Sequence, residues 1–473
     1  MKVKPSDFIE NSIPFVENIL KELEKKYDYV SVLGTDVFGK QYVVTTRGTN
    51  YNDSQWTERG FVVRVFDGSA YSEFSFNEID DPEEIVQKVE KSLVKENKLE
   101  ETNLEESLLN KIEENEIEKD FTGEVEILPE DISTEEKINR LVAMKQKAHE
   151  FSDELVNFFA IYEEVSVNKL FFSNKKRLKQ SYIWSQGYLN PVVRRGQKTR
   201  ISYEGFSGLK GPELLDEMEA KLKDIIDEAI MLLDAEKIKP GVYDVICSPE
   251  VSGLIAHEAF GHGVELDMFV KDRAKAKEYM GKMVASEHVT MHDGASSAKE
   301  VSSYFFDDEG TLGNDTIIIK DGKLISGIGD LLSAMKLNVK PTGNGKRESF
   351  EKKAYSRMTN TFFEPGKDKL EDMISSIDSG YLLEKYTSGM EDPKNWGIQC
   401  LVLYGREIKN GKLTGRIVSP IFMTGFVPDL LKSISMVSDD FRLSGTGACG
   451  KGHKEFAKVS AGGPYIKAKA RLG

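Results

Sequence analysis

Two histidines flank a glutamate in the segment from His257 to His262. Neutral imidazoles are common zinc ligands, and Glu258, beside the first of them, can take a proton from metal-bound water. The histidines are five residues apart, whereas the familiar H-E-x-x-H pattern spaces them by four. On an ideal helix this spacing separates the side chains by about 140°. Two arrangements are open: a widened π-like turn, or a helix that ends near Gly261 and Gly263, so that His262 reaches in from its end.

The residues before His257 predict the helix that carries it. Ser248 can cap that helix with its hydroxyl, and Pro249 suits the first helical position because no N–H is needed there. An apolar stripe follows at helical spacing, formed by Val251, Leu254, Ile255 and Ala259. Residues 242–248 have the composition of a buried strand. We therefore predict that a strand leads directly into the helix that holds the two histidines.

A third metal ligand has to come from elsewhere in the chain. Cys449 lies between small residues near the C-terminus, where a thiolate could approach a metal closely, although a buried structural cysteine is the commoner fate. Cys247 and Cys400 lie inside strand patterns and are predicted to be core residues. His288 and His292 are predicted to be strand residues and not ligands.

The composition excludes several classes of protein. The chain has 64 Lys and Arg against 79 Asp and Glu, so its net charge is −15, which argues against nucleic acid or an anionic membrane as the main partner. No apolar run is long enough to span a bilayer, and the N-terminal residues lack the core of a signal peptide. Three cysteines do not make a disulfide framework. These features predict a soluble protein of the reducing cytoplasm.

The N-terminal 237 residues alternate between helical and strand patterns. The predicted elements are a helix at 9–23, strands within 29–76, a helix at 81–94, a helix from 133, strands within 155–203 and a helix at 212–235. The order helix, strands, helix thus occurs twice, which suggests a weak internal repeat. A glutamate-rich stretch at about 97–132 is predicted to be a solvated connector, with an interaction segment as the alternative.

Residues 238–473 are mostly short strand patterns separated by turns. Asp-Gly at 321–322 and Asn-Gly at 410–411 are strong two-residue hairpin signals. We predict an α+β protein in two domains. Residues 1–237 form a domain of helices and antiparallel sheet, and residues 238–473 form a mainly antiparallel β domain that carries the metal-binding helix.

With these residues in place, the chain resembles the TldD/PmbA family of metallopeptidases, also called modulators of DNA gyrase. The resemblance rests on four motifs of the C-terminal half: the metal helix at 257–267, an acidic segment at 306–310, the segment 356–361, and a closing cysteine motif at 447–453 and 460–466. The N-terminal half is similar only in its order of helices and strands.

The resemblance implies a function and a set of roles. His257, His262 and Cys449 would hold one zinc ion per active site, and Glu258 would be the catalytic base. The family has an active type and a homologous partner type that lacks the metal residues. Because this chain keeps all four residues, it resembles the TldD type. The implied activity is hydrolysis of short or unfolded peptides in a site enclosed by a dimer, either a homodimer or a heterodimer with the homologous subunit.

Further residues could act on the substrate. Arg357 and Asn360 are candidates for holding an extended peptide, with hydrogen bonding within a loop as the alternative. A thiolate ligand makes zinc a weaker Lewis acid, so a second electrophile is useful. Lys451 and His453 are the candidates.

Other interpretations of the same residues are open. Glu265 and Asp267 could orient the imidazoles, or they could be solvated charges at a helix end. The metal could be structural, in a non-catalytic binding or partner subunit. Cys449 and His453 could also be the nucleophile and base of a cysteine peptidase.

Overall fold

The structure is a computed structural model that describes residues 1–79, 81–100, 110–451 and 454–473, with side chains described except at 93–100, 454 and 455. Residues 101–109 of the predicted acidic connector lie outside the described residues, as does His453. The end of the connector is described and contains a short strand at Ile117–Thr122.

The N-terminal part is built on one nine-stranded sheet. Its strands are β1 (Tyr29–Thr45), β2 (Gly48–Asp53), β3 (Glu58–Phe66), β4 (Tyr71–Phe76), β5 (Ile117–Thr122), β6 (Leu155–Ser173), β7 (Lys176–Arg195), β8 (Lys198–Ile201) and β9 (Glu204–Gly208). The order is β4-β3-β1-β6-β7-β5, with β2 beside β1 and with β8 and β9 beside β7. All pairs are antiparallel except β5–β7. The two helix–strand–helix runs of the sequence therefore contribute to one continuous sheet.

Four helices cover one face of this sheet: α1 (Asp7–Leu23), α2 (Pro82–Glu100), α3 (Thr134–Phe151) and α4 (Leu214–Met231). Alternate side chains of a strand share a face, and the even-numbered residues of β1 lie on the face that the helices cover. Val30 and Val32 pack with α1 and α2, whereas Tyr42 and Val44 pack with α3 and α4. The odd-numbered Leu33 and Val37 lie on the opposite face, which packs against the C-terminal part.

The C-terminal part is rich in strands, and five of them form a closed barrel. Its strands are β10 (Gly241–Cys247), β11 (Met291–Asp293), β12 (Thr316–Lys320), β13 (Lys323–Leu324), β14 (Gly345–Lys346), β15 (Tyr355–Ser356), β16 (Asn360–Phe363), β17 (Ser379–Asp392), β18 (Gly397–Lys409), β19 (Lys412–Val418), β20 (Ile421–Phe426), β21 (Met436–Val437), β22 (Arg442–Ser444), β23 (Ala448–Lys451), β24 (Lys454–Lys458), β25 (Ser460–Gly463) and β26 (Ile466–Leu472). The ring β10-β17-β18-β20-β26 closes because β10 pairs with both β17 and β26.

A second sheet, in the order β13-β12-β11-β16-β25-β22, stands beside the barrel. Short helices complete this part: α5 (Pro249–Leu254), α6 (Leu266–Val270), α7 (Leu331–Lys336), α8 (Leu370–Ser375) and α9 (Val427–Lys432). Helix α5 lies between the two sheets, against β17 of the barrel and β25 of the second sheet. Its Gly253 is so close to β25 that an added Cβ would lie 2.3 Å from the backbone nitrogen of Gly462.

The α+β fold class predicted from the sequence is confirmed, with mainly antiparallel pairing in both parts. The predicted boundary between residues 237 and 238 falls between α4 and β10. Across the described ranges, we find no helix with the length and apolar character needed to traverse a membrane.

Candidate metal centre

The helix that carries the histidines changes its winding at the centre. Ser248 caps α5 by accepting a hydrogen bond from the Val251 N–H, as its position predicted. From Ile255 to Gly261 the chain forms a π-helical turn, which a 3₁₀ turn at His262–Val264 follows. Because a π turn bonds residues five apart, it brings His257 and His262 to the same side. Their ring centroids are 5.3 Å apart, so the π-like turn is the arrangement found.

Three ligand groups converge beside this turn. One ligand atom from each of His257, His262 and Cys449 lies within 4.8 Å of the other two. The Cys449 Sγ is 3.2 Å from the Nε2 of His262. Cys449 reaches this place on β23, where its backbone pairs with Ala457 of β24. Two imidazoles and a thiol make the donor set of a catalytic zinc site, which leaves a coordination position open for water or substrate.

The charges of the cluster suit metal binding. Burial alone would raise the pKa of the Cys449 thiol, but the imidazoles of His257 and His262 outweigh burial and lower this pKa to about 4. Burial alone would lower the pKa of His262, but Cys449 and Glu265 outweigh it and raise this pKa well above its ordinary value. The Nδ1 of His257 is buried and has no hydrogen-bond partner among the described residues. The cluster thus holds the thiolate that a metal ion requires, and the residues fit zinc.

Glu265 and Asp267 are both buried, so they are not solvated charges at a helix end. The Oε2 of Glu265 lies 3.4 Å from the Nδ1 of His262 and forms an ion pair with the Lys451 ammonium at 3.0 Å. Burial raises the pKa of Glu265, but Lys451 and His262 outweigh it and hold this pKa at about 2. Glu265 therefore orients His262. Asp267 instead accepts a hydrogen bond from Lys451 at 2.6 Å.

Lys451 is poorly placed to be a second electrophile. Its ammonium group forms an ion pair with Glu265 and donates hydrogen bonds to Asp267 and, at 3.0 Å, to the carbonyl oxygen of Ser356. These partners all lie within the protein and occupy the ammonium group. The structure assigns Lys451 to the support of Glu265 and Asp267.

The centre opens into a cleft of about 500 Å³. The cleft is lined by His257, Glu258, His262, Glu265, Met268, Gly389, Met390, Glu391, Pro393, Ala448, Cys449, Gly450 and Lys451. Glu258 reaches it past β17, where a Cβ added to Gly389 would lie only 2.6 Å from the Glu258 Cγ. Because residue 389 has no side chain, the side chain of Glu258 fits against β17 without a steric clash.

Arg357 and Asn360 do not face the cleft. Arg357 is 2% exposed and Asn360 is 0% exposed, so neither can hold a peptide without rearrangement. The Asn360 amide donates to the Gly294 carbonyl at 2.9 Å and to the Ser303 hydroxyl at 3.0 Å. Arg357 donates to the carbonyl oxygen of Cys449. The geometry thus favours the alternative considered for these residues, hydrogen bonding within the protein, and corrects the assignment to substrate.

The remaining cysteines and histidines lie away from the centre. Cys247 and Cys400 are buried in β10 and β18, as the strand patterns predicted. His292 lies in β11, stacked on Phe362, with its Nδ1 2.8 Å from Asp315. His288 is in a turn, so its prediction as a strand residue was wrong.

One further acidic residue of the cleft had no signal in the sequence. Glu391 lies on β17, 129 positions after His262 in the chain, and strand pairing alone brings it to the centre. Both its carboxyl oxygens are buried without a hydrogen-bond partner in the described parts of the chain. Burial raises the pKa of Glu391 well above its ordinary value, and the charge of His262 opposes this rise.

The fold and the centre together define an α+β protein with a candidate metal site of two histidines and a cysteine. Residues 240–470 match the family model described as the PmbA/TldA metallopeptidase C-terminal domain. The resemblance to the TldD/PmbA family that the motifs predicted is confirmed for residues 240–470, and relatives named as TldD homologues match the chain.

Named relatives are described as metalloproteases. A metalloprotease of Methanocaldococcus jannaschii is 29% identical over 344 residues, 71% of this chain and 74% of that protein. A zinc metalloprotease TldD homologue of Saccharolobus solfataricus is 27% identical over 351 residues, 71% of this chain and 75% of that protein. A metalloprotease TldD homologue of Buchnera aphidicola is 33% identical over 278 residues, 58% of this chain and only 56% of that protein.

Solved structures share the fold along nearly the whole chain. A protein of Thermotoga maritima, described as a candidate modulator of a DNA gyrase, superimposes with a TM-score of 0.77 at 17% identity and covers 97% of this chain and 99% of its own. TldE from Thermococcus kodakarensis superimposes with a TM-score of 0.75 at 18% identity and with the same coverage. At such identities the likeness establishes the fold alone.

Proposed function

We propose that this protein is a zinc-dependent peptidase. The observation that carries the proposal is the convergence of His257, His262 and Cys449 at a cleft that Glu258 also lines. A set of three ligands with an adjacent carboxylate is the arrangement that activates water for hydrolysis. The names of the relatives support the same class of reaction.

The residues of the chain divide the chemistry between them. His257, His262 and Cys449 would hold the zinc ion, and Glu265 with Lys451 fixes the ring of His262. When bound, zinc supplies Lewis acidity for activating water and for stabilising negative charge on the carbonyl oxygen. Glu258 takes a proton from the attacking water and passes it to the nitrogen of the leaving amine.

The substrate we propose is a short peptide or an unfolded polypeptide. The cleft of about 500 Å³ can take an extended chain but not a folded domain. We further propose that the site is enclosed in a dimer, either of two copies or with a homologous subunit that lacks the metal residues. The net charge of −15 suits a cytoplasmic enzyme that binds neither nucleic acid nor an anionic membrane.

The proposal is tested with Glu258→Gln, which keeps the size of the side chain but removes the base. We expect this variant to retain zinc and to lose about 10²-fold or more in turnover of an unstructured peptide. The exposed Glu287→Gln is the matched control and should hydrolyse the peptide normally. Undiminished hydrolysis by zinc-loaded Glu258→Gln would contradict the assigned role.

The contact between Cys449 and His262, at 3.2 Å, also supports a second candidate, a cysteine peptidase. The two mechanisms respond differently to removal of the metal. A zinc peptidase loses activity on chelation and regains it when zinc is returned, whereas a cysteine peptidase is unaffected by chelators. Alkylation of the metal-free protein should prevent recovery in the first case, because it consumes the third ligand.

A purely structural metal is disfavoured by the number of ligands. Structural zinc sites commonly have four protein ligands. In the described part of the chain, three groups converge. A zinc ion held by these three groups would keep a fourth position for water, as catalysis requires.

A further inference from the structure

Glu391 is an acidic residue of the cleft that the proposed chemistry does not use. Its two carboxyl oxygens are buried, and neither has a hydrogen-bond partner among the residues that the structure describes. Folded proteins pair nearly all such groups, because an unpaired buried carboxyl is costly. The missing partner is therefore expected to be a bound molecule.

The surroundings of Glu391 show which kind of partner it lacks. A Cβ added to Gly263 would lie 3.0 Å from the Glu391 Oε1, so the carboxyl group stands beside the turn that carries His262. The Gly263 N–H lies close enough to lower the pKa of Glu391 slightly, but it does not satisfy the two carboxyl oxygens. The other carboxyls close enough to act on Glu391 are those of Glu258 and Glu265.

The described lining of the cleft offers Glu391 no free lysine or arginine, although the charge of His262 acts on it. Among its described lining residues the one lysine or arginine is Lys451, which is engaged by Glu265 and Asp267. A zinc ion held by the two histidines and Cys449 would donate no hydrogen bond to Glu391. A cationic donor beside Glu391 would offset the cost of burying the ionised carboxylate.

We propose that Glu391 is the subsite for a protonated amine of the substrate, next to the bond that is cleaved. This inference rests on the proposed peptidase function, because it names the substrate that the same cleft selects. The amine is either the α-ammonium group of the first residue or the side chain of a lysine. In the first case the enzyme removes residues from the free N-terminus of peptides.

Binding is measured by calorimetry on zinc-loaded Glu258→Gln, in which hydrolysis is slow. The probes are an unstructured hexapeptide with a free N-terminus and one lysine, its Nα-acetylated form, and its form with norleucine in place of lysine. Losing the amine that Glu391 holds should weaken binding about ten- to a hundredfold, as for a hydrogen bond between charged groups. The probe that loses affinity identifies which amine is bound.

Adding Glu391→Gln to the Glu258→Gln protein should lower its affinity for the unmodified hexapeptide by the same factor. Its affinity for the peptide that lacks the bound amine should stay the same. Adding Glu287→Gln, which removes an exposed charge, should alter neither affinity. Zinc content is measured in each variant. If Glu391→Gln loses zinc, the comparison of the three peptides on Glu258→Gln alone still decides the question.

The outcomes separate this inference from the proposed function. Equal affinity for all three peptides overturns the amine subsite, and so does an equal loss for all three in the Glu391→Gln variant. If the affinities differ as expected while the wild-type protein cleaves no peptide, the subsite is supported and the peptidase is refuted. If the wild-type protein cleaves all three peptides equally and binds them equally, the peptidase is supported and the subsite is refuted.

Discussion

Arg357 donates a hydrogen bond from Nη2 to the carbonyl oxygen of Cys449 at 2.6 Å. Its Nε also lies 3.7 Å from the Oε1 of Glu265, the carboxylate that orients His262. One guanidinium group thus contacts the backbone of one ligand and the support of another, although these ligands are 187 positions apart in the chain. Arg357 thus links β23, which carries Cys449, to Glu265 and the turn that carries His262.

Replacing Arg357 with methionine should therefore weaken zinc binding. Loss of an outer partner of metal ligands typically costs about 10- to 100-fold in affinity. The measurement is zinc competition against a chromophoric chelator, with unfolding followed in parallel because Glu265 would lose a charge partner. The exposed Arg273→Met is the control. Equal zinc affinity in both variants would contradict the role of Arg357.

Gly389→Ala tests the position of Glu258. The added Cβ would lie 2.6 Å from the Cγ of Glu258 and 2.7 Å from the Cδ1 of Leu254, so the glutamate must move. A displacement of about 1 Å can cost about 10²-fold in turnover. Zinc content should stay near that of the wild type, because no ligand is touched.

Gly397→Ala is the matched control for this prediction, since no atom lies within 4 Å of a Cβ at that position of the same barrel. It should hydrolyse peptides at the normal rate. If Gly389→Ala is as active as this control, Glu258 is not confined by β17.

Glu250, in the first turn of α5, makes stability depend on pH. Burial raises its pKa to about 7, although Lys385 opposes the rise. The folded protein therefore keeps a proton that the unfolded chain releases near pH 4.5. Because the folded state binds more protons between these values, its free energy of unfolding falls as the pH rises from about 5 to 7. Above about pH 7 the contribution of protonated Glu250 to the free energy of unfolding is fully lost.

Glu250→Gln has an uncharged side chain at every pH and escapes this loss. We expect it to unfold at nearly the wild-type free energy at pH 5 and to be more stable by about 2 kcal/mol at pH 8. Denaturant unfolding at the two pH values measures the difference. A stability gain that is the same at both values would show that ionisation of Glu250 is not the cause.

Local patterns were sufficient to predict the helix that carries the histidines. Ser248, Pro249 and the apolar stripe are signals within a few residues of one another, and α5 begins where they place it. The winding after it was left open, because the choice between a π turn and a helix end depends on tertiary packing. An added Cβ at Gly261 would lie 2.1 Å from the Met358 Sδ, a contact from a distant segment.

The position of Cys449 and the role of the acidic segment 306–310 depend on contacts between distant segments, which local sequence patterns do not show. Cys449 was a candidate ligand from its small neighbours and an implied one from the family motif, but its place at the centre depends on the tertiary packing of β23. The acidic segment at 306–310 matched the family without an evident purpose. In the structure, Glu309 pairs with Arg64 at 2.6 Å and Asp308 with Lys169 at 2.5 Å. These ion pairs fix the N-terminal sheet to the C-terminal part.

The last prediction concerns the folded state of the substrate. A chain must reach Glu258 in extended form, so a folded substrate first has to unfold, which commonly costs about 5–15 kcal/mol. This cost lowers the fraction of cleavable chains by several powers of ten. The test uses a domain that folds only when its small-molecule ligand is bound, so that one polypeptide can be offered folded or unfolded. Initial rates should be high without the ligand and near background with it, while an unstructured peptide is cleaved equally under both conditions. Similar rates for the folded and unfolded domain would mean that the cleft is open to folded proteins, and the enclosed site would have to be abandoned.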